Sequence, residues 1–403
     1  MKYLSLLLLL LSLLFCSCEK ENEVTPSTFP ADYVPYSSYI DYTTPEVVWT
    51  KMLKEDSTRA VSMIPFKLGN GNFITSENKN IICYDGETGE RKWVWNDYLP
   101  NVGLMYNNAI LHDKYLSISG QNGAHQINTE TGETVWGFNP GGYSNTISNF
   151  GNLIFINNSY GNISYPEYSE ILSIDTYGGV ETMFGYQRTG PYSSALKAPG
   201  VYLNLEGDTI LLFQNRSGLV SGGFDNKIDF YAYNATQDSV LWYKDELDTY
   251  GSNIVNAPLV EGDRVYFGGK STMYCIDIPT GEIVWQESHG GTFLATNYQI
   301  VGDKILFNHD YGNVITIDKN TGIEIWRNED ANGSDFMTVS NGRIYTVDGK
   351  YMHILDLETG ERLYKYKSPI PEGNFSNTVV VDEERGYMFT TDHYAAICMK
   401  LPK

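Results

Sequence analysis

The side chains able to do chemistry in this 403-residue chain are few and scattered. The six histidines, at 112, 125, 289, 309, 353 and 393, share none of the short spacings that put two imidazoles on one metal ion. No Gly-x-Ser-x-Gly elbow presents a serine nucleophile. "GNGN" (69–72) is glycine-rich, but no helix follows it to complete a phosphate cradle. "NHDYG" (308–312) and "TDHYA" (391–395) each place a histidine beside an aspartate, an acid–base couple in principle. Both stand where a hairpin reverses, and they read as turn residues. Only one carboxylate pattern is regular, and it is too regular for catalysis.

That pattern is a frame: Asp, two residues, Thr-Gly, three residues, Trp. Asp85, Thr88, Gly89 and Trp93 fill it, as do Asp277, Thr280, Gly281 and Trp285, and Asp318, Thr321, Gly322 and Trp326. Asn128, Thr131, Gly132 and Trp136 fit with Asn first; Asp356, Thr359, Gly360 and Tyr364 end on Tyr. Two copies are degenerate: Asp175, Gly178, Gly179 and Met183, then Asn234, Gln237, Asp238 and Trp242. The Asp slots lie 38–47 residues apart, with one gap of 59. A period near 40–45 residues marks a propeller blade of four strands. An active-site residue does not need seven copies, so these residues are structural.

Their chemistry fits a tight hairpin. Asp and Thr side chains accept bonds from amides inside the turn, and Gly supplies the positive φ that closes it. Trp buries a large area and keeps one N–H in need of an acceptor, so Trp49, Trp93, Trp136, Trp242, Trp285 and Trp326 are expected to dock each blade on its neighbour. An eighth copy is split between the ends. "YAAICMKLPK" (394–403) matches the run before the Asp slot, and "TPEVVWTKML" (44–53) the run ending on Trp49. Pairing the two closes the ring and removes two raw sheet edges. The expected fold is all-β: an eight-bladed β-propeller of four-stranded antiparallel blades, occupying 45–403.

These repeats resemble the tryptophan-docking motif of quinoprotein-type propellers. That family's pattern places a small residue two before the Asp, where Cys83, Ser173, Ala232, Cys275 and Cys398 stand here. The resemblance spans about 360 residues. For the dehydrogenase branch it would imply pyrroloquinoline quinone and calcium over the channel, adjacent cysteines, a metal-binding carboxylate and a catalytic aspartate. This chain has no adjacent cysteines and lacks the long inserts of those enzymes. No cofactor, no metal and no catalytic residue are therefore expected.

The first 17 residues, "MKYLSLLLLLLSLLFCS", carry one basic residue, Lys2, and an apolar run too short to span a membrane. They resemble a lipoprotein signal peptide, with Cys18 as the lipidated residue after small Ser17; Cys16 follows bulky Phe15 and fits less well. Residues 18–44 are polar and proline-bearing, suited to a tether, with Glu19, Glu21 and Glu23 at its start resembling a surface-export signal. Loss of Lys2 takes the formal net charge from −21 to −22, which argues against nucleic acid as a partner. The remaining Cys83, Cys275 and Cys398 share one slot in the repeat and read as buried free thiols.

Three inserts distinguish blades three and four: "NNSYGNISYPEYSE" (157–170), "YQRTGPYSSALKAPG" (186–200) and "NRSGLVSGGFDNK" (215–227). Read as loops, they share one face and bring Tyr160, Tyr165, Tyr168, Tyr186, Arg188, Tyr192, Arg216 and Phe224, types enriched in binding patches. In layout the chain is similar to propeller lipoproteins of the outer-membrane β-barrel assembly machinery: lipid anchor, tether, eight blades. That resemblance implies a non-catalytic scaffold of the cell envelope, held to the outer membrane through its lipid alone, with a protein partner; the inserts, not the resemblance, point to this face as the one presented. The rival is a surface lipoprotein that binds glycan or peptide through the tyrosines. A quinone-dependent dehydrogenase is a remote third.

Overall fold

The computed structural model describes residues 42–53, 66–77, 80–96, 103–121, 123–139, 141–144, 146–162, 165–187, 193–218, 227–249, 257–291, 293–309, 313–331, 337–375 and 379–403. Among them the regular elements are strands, in eight sheets whose hydrogen-bonded neighbours run antiparallel. Blade one comprises Phe66–Lys67, Phe73–Glu77, Asn80–Tyr84 and Arg91–Trp95. Blade two comprises Gly103–His112, Tyr115–Gln121, Gly123–Asn128 and Thr134–Phe138, and blade three Ile147–Phe150, Leu153–Asn162, Tyr165–Ile174 and Val180–Tyr186. In blade four the first strand is broken into Ala195–Leu196 and Gly200–Leu203, both paired with Thr209–Ser217; Lys227–Asn234 and Ser239–Thr249 follow. Blades five to seven span 259–288, 293–328 and 338–367.

Blade eight closes the ring. Val380–Asp382, Tyr387–Thr391 and Ala395–Lys400 are completed by Val47–Met52, antiparallel to the last of them with Trp49 opposite Cys398. The eight apolar clusters each lie at one seam between neighbouring blades. The core is therefore a ring of inter-blade layers, and no blade can bury its own apolar faces alone.

The repeated frame acts across those seams. Asp277 Oδ1 accepts the Thr280 N–H and hydroxyl at 3.0 and 2.8 Å, and Gly281 closes the turn at φ 73°. The same bonds recur around Asp85, Asp318 and Asp356. Five of the six repeat Trp residues then donate to the residue just after the next blade's Asp slot. Trp49 reaches the Gly86 carbonyl at 2.9 Å, Trp93 Thr129 at 3.0 Å, Trp242 Ile278 at 2.7 Å, Trp285 Lys319 at 3.0 Å and Trp326 Leu357 at 3.1 Å. The indole lies on the turn glycine: a Cβ built on Gly322 would stand 2.6 Å from Trp285, and one on Gly360 2.4 Å from Trp326. Within its own blade the Trp pairs with the residue two before the Asp, as in Cys275↔Trp285 and Cys83↔Trp93. That explains the small side chains there. The three thiols are buried and free, and burial pushes Cys275 up to about 11 and Cys83 and Cys398 up to about 12.

Blade three departs from the frame by a register shift. Its turn is one residue shorter: the Asp175 N–H donates to Gly179 O, whereas that of Asp277 donates to Glu282 O. Ser173 therefore pairs with Glu181, and a bulge between Ile171 and Leu172 sets Phe184, not Met183, opposite Ile171. Phe184 makes the aromatic contact with blade four, 5.0 Å from both Phe213 and Tyr233. The short turn also leaves Trp136 Nε1 without an acceptor among the described residues.

Candidate docking site

Two of the three inserts on blades three and four are strand extensions rather than loops. The second and third strands of blade three stay paired from Ile154↔Ile174 to Asn162↔Tyr165, so 157–170 is mostly ladder. Those of blade four stay paired to Ser217↔Lys227. Both extended hairpins place an amide opposite a buried carboxylate at equivalent positions, Asn158↔Glu170 and Asn215↔Asp229. Asn158 Nδ2 donates to Glu170 at 2.8 Å and Asn215 Nδ2 to Asp229 at 3.5 Å. Part of the connection between the blades, 193–199, is stitched into this polar layer. Ser194 Oγ donates to Asn215 Oδ1 at 3.0 Å, the Leu196 N–H to Ser169 Oγ at 3.1 Å and the Ala198 N–H to Thr146 Oγ1 at 2.8 Å.

The residues expected to form a binding face are distributed accordingly. Tyr160 and Tyr168 face each other across the blade-three ladder, rings 5.7 Å apart, and both hydroxyls donate to Glu170, at 2.8 and 3.4 Å. Burial, reinforced by the Glu170 bond, pushes Tyr160 up to about 12 and raises Tyr168. Tyr165 lies on the strand opposite Asn162. Tyr186 packs inward, 6.0 Å from Tyr231. Arg216 corrects the loop reading: it lies in a strand between Ala195 and Ile228 and is only 3% exposed, so it cannot present its charge at the surface. Arg188, Tyr192, Phe224 and Cys18 lie outside the described residues.

The sequence reading missed Lys197, where the first strand of blade four breaks. Its amine is fully buried beside the Arg216 guanidinium, and burial first, then that like charge, holds its pKa well below the usual lysine range. The only signal was a lysine in an otherwise small and apolar run, "SSALKAPG" (193–200). The His–Asp pair of blade eight is a turn device: Asp392 Oδ1 accepts the Tyr394 and Ala395 N–H groups at 2.7 and 2.6 Å. Asp310 of the matching pair in blade six lies outside the described residues.

The inner strands of blades two to five wall a cavity of about 430 Å³ in the channel. Its lining is Ile110, Ile147–Phe150, Pro199–Val201 and Ala257–Val260, without a charged side chain. A quinone–calcium pair needs carboxylates there, and its cysteine platform needs two adjacent thiols. The described cysteines sit singly in blades one, five and eight. These residues do not fit that cofactor. Among the described residues no three His, Cys, Asp or Glu side chains converge on a metal position.

A family model described as outer membrane protein assembly factor BamB matches residues 225–335 and 274–392, hence most of blades four to eight. Along its length the chain is 21% identical over 363 residues to the outer membrane protein assembly factor BamB of Shewanella oneidensis, covering 84% of this chain and 85% of that protein. The structure of BamB from Moraxella catarrhalis superposes with a TM-score of 0.54 at 15% identity, covering 85% of this chain and 99% of that one. The computationally designed Ika8 protein reaches 0.64 at 12% identity, covering 89% and 100%. A europium-containing methanol dehydrogenase reaches 0.62 at 9%, covering 85% and 84%. At these identities the structures share the fold alone, and BamB, a designed protein and a dehydrogenase share it alike. The chain carries a quinoprotein-like propeller that resembles BamB.

Proposed function

We propose that this chain is a non-catalytic scaffold lipoprotein of the bacterial outer membrane. It is exported by residues 1–17, anchored through Cys18, spaced by 18–44 and presents its propeller to a protein partner on the periplasmic side. The observation that carries the reading is the likeness to an assembly factor over 84% of the chain. The channel chemistry supports it, since the cavity offers only apolar and neutral polar groups. The partner face is the extended-hairpin side of blades three and four, where Tyr160 and Tyr168 stand over Glu170. Photo-cross-linking from Tyr168 in intact cells, followed by identification of the captured protein, tests it. Capture of a consistent envelope protein, and its loss in Cys18→Ala, is the expected result. Incubation with pyrroloquinoline quinone and calcium should give no turnover of alcohols or aldoses; turnover sinks the reading.

The paired tyrosines also suit a sugar ring, because two aromatic faces beside a carboxylate match its apolar and hydroxyl surfaces. Protease shaving of intact cells separates the two readings. A surface glycan binder is digested, and a periplasmic scaffold is spared.

A further inference from the structure

The opposite face of the disc carries the turns between first and second strands and the Asp-slot turns. From blade five round to blade one these turns are charged and tied to one another. Lys319 bonds Glu261 at 2.6 Å, Lys304 bonds Glu358 at 3.1 Å, Ser340 donates to Glu383 at 2.8 Å and Arg385 bonds Glu87 at 3.5 Å. At the seam between blades three and four the character changes. The blade-three turn is flanked by Phe150 and Leu153, and the blade-four turn carries Leu203 and Leu205, all exposed. Leu205, in the blade-four turn, is 99% exposed.

The two inner strands leading into these turns touch, Ser148 Oγ donating to Pro199 O at 2.7 Å. The turns therefore leave the seam side by side, and Phe150 is at once a wall of the channel cavity and the start of the patch. Scattered apolar residues need no explanation, but a cluster that continues into a cavity without charged side chains marks a binding surface.

The charge around the patch chooses its occupant. Glu206 follows Leu205, and Asp263 adjoins through the Tyr202 hydroxyl at 2.7 Å. Acidic neighbours on a chain of net −21 repel an anionic bilayer and attract cations. We propose that this turn face at the seam between blades three and four docks a polypeptide segment with one or two large apolar side chains flanked by lysine or arginine. The apolar anchor enters the channel mouth between Phe150 and Val201, and the flanking cations meet Glu206 and Asp263. The surface is distinct from the extended-hairpin face and stands whether or not that face binds a partner. Two faces on one sector would let the disc hold two components at once.

The test uses the full chain in non-ionic detergent and three labelled twelve-residue peptides, read by fluorescence anisotropy. One has a central Leu-Phe pair flanked by lysines, one the same pair flanked by glutamates, and one lysines around a Ser-Gly centre. The lysine-flanked apolar peptide is expected to bind at least tenfold more tightly than either control. Leu205→Asp with Leu203→Asp should reduce that binding at least tenfold and leave the melting temperature nearly unchanged, since both side chains are solvent-exposed. Equal binding of the three peptides, or binding unaffected by the double substitution, overturns the proposal. A fluorophore on Leu205→Cys in phosphatidylethanolamine–phosphatidylglycerol vesicles covers the membrane alternative, because the described native thiols are buried. Quenching by brominated lipid without peptide would assign the patch to the bilayer and also overturn it.

Discussion

The seam between blades five and six and the seam between blades three and four solve the same problem differently. At the first, Trp285 lies flat on Gly322 and bonds the Lys319 carbonyl. At the second no indole arrives. Phe184 packs among Phe213, Tyr231 and Tyr233, and the turn it meets has Asp238 in the glycine slot. Asp238 holds the same left-handed backbone at φ 51° and is braced by the Tyr233 hydroxyl. The contrast shows that the turn glycine has two jobs. It takes a positive φ, which Asp can also do, and it leaves room for the neighbour's indole, which Asp cannot. Where the indole is lost, the glycine is free to be lost with it. Tyr364 repeats the lesson: it faces the chain's end instead of a turn, and donates to the Lys403 carbonyl at 2.6 Å.

Substitutions at the two seams can break or sharpen this comparison. Trp285→Ala should cost roughly 3–5 kcal/mol in urea melts, as for other buried aromatics. Met183→Ala should cost well under half of that, because Met183 falls in the bulge and Phe184 makes the contact. Equal costs would mean the two seams are alike after all.

Next in size is the glycine test. Gly322→Ala adds a Cβ at φ 75°, 2.6 Å from Trp285, and should cost about 2–3 kcal/mol from backbone strain and overpacking together. Asp238→Gly, at the slot without an indole, should stay within about 1 kcal/mol of wild type. A similar loss at both sites would show that backbone conformation alone dictates the glycine.

A smaller difference separates two tryptophans. Trp285→Phe removes a bonded N–H and Trp136→Phe an unbonded one, so the first should be more destabilising by about 1 kcal/mol. The smallest effect is in acid. The Thr88 and Thr359 N–H groups hold Asp85 and Asp356 below the ordinary value of 3.8. These groups favour the folded state above the unfolded value, and that contribution is lost as pH falls below about 4. Asp356→Asn should flatten this part of the pH–stability curve, since Asn128 makes the equivalent amide bonds in blade two.

The fold was legible because the repeated frame records contacts between neighbours, and counting slots from Asp to Trp counts blades. Counting failed in blade three, where one residue dropped from the turn shifted the register and made Met183 a false equivalent of Trp285. The candidate site was less legible. A longer hairpin and a longer loop look alike as insertions, and Asn158, Ser159, Ser169 and Glu170 are polar residues whose burial depends on the neighbouring connection. Arg216 misled for the same reason. Around the opposite face the signal was in plain sight: the turn runs "FGNL" and "LNLEGDT" stand against "EGDR" and "GDK".

Pairing Val47–Met52 with Ala395–Lys400 also imposes an order in time. During synthesis the early strand exists long before the strand it must join. Loop-closure entropy makes such a distant pairing slow, so blades one to seven can assemble first while an open edge persists at each end of the unfinished ring. Folding of this chain is therefore exposed to edge-to-edge association until its last strands have been delivered. A truncation within 395–400 should leave a chain that aggregates rather than a seven-bladed disc.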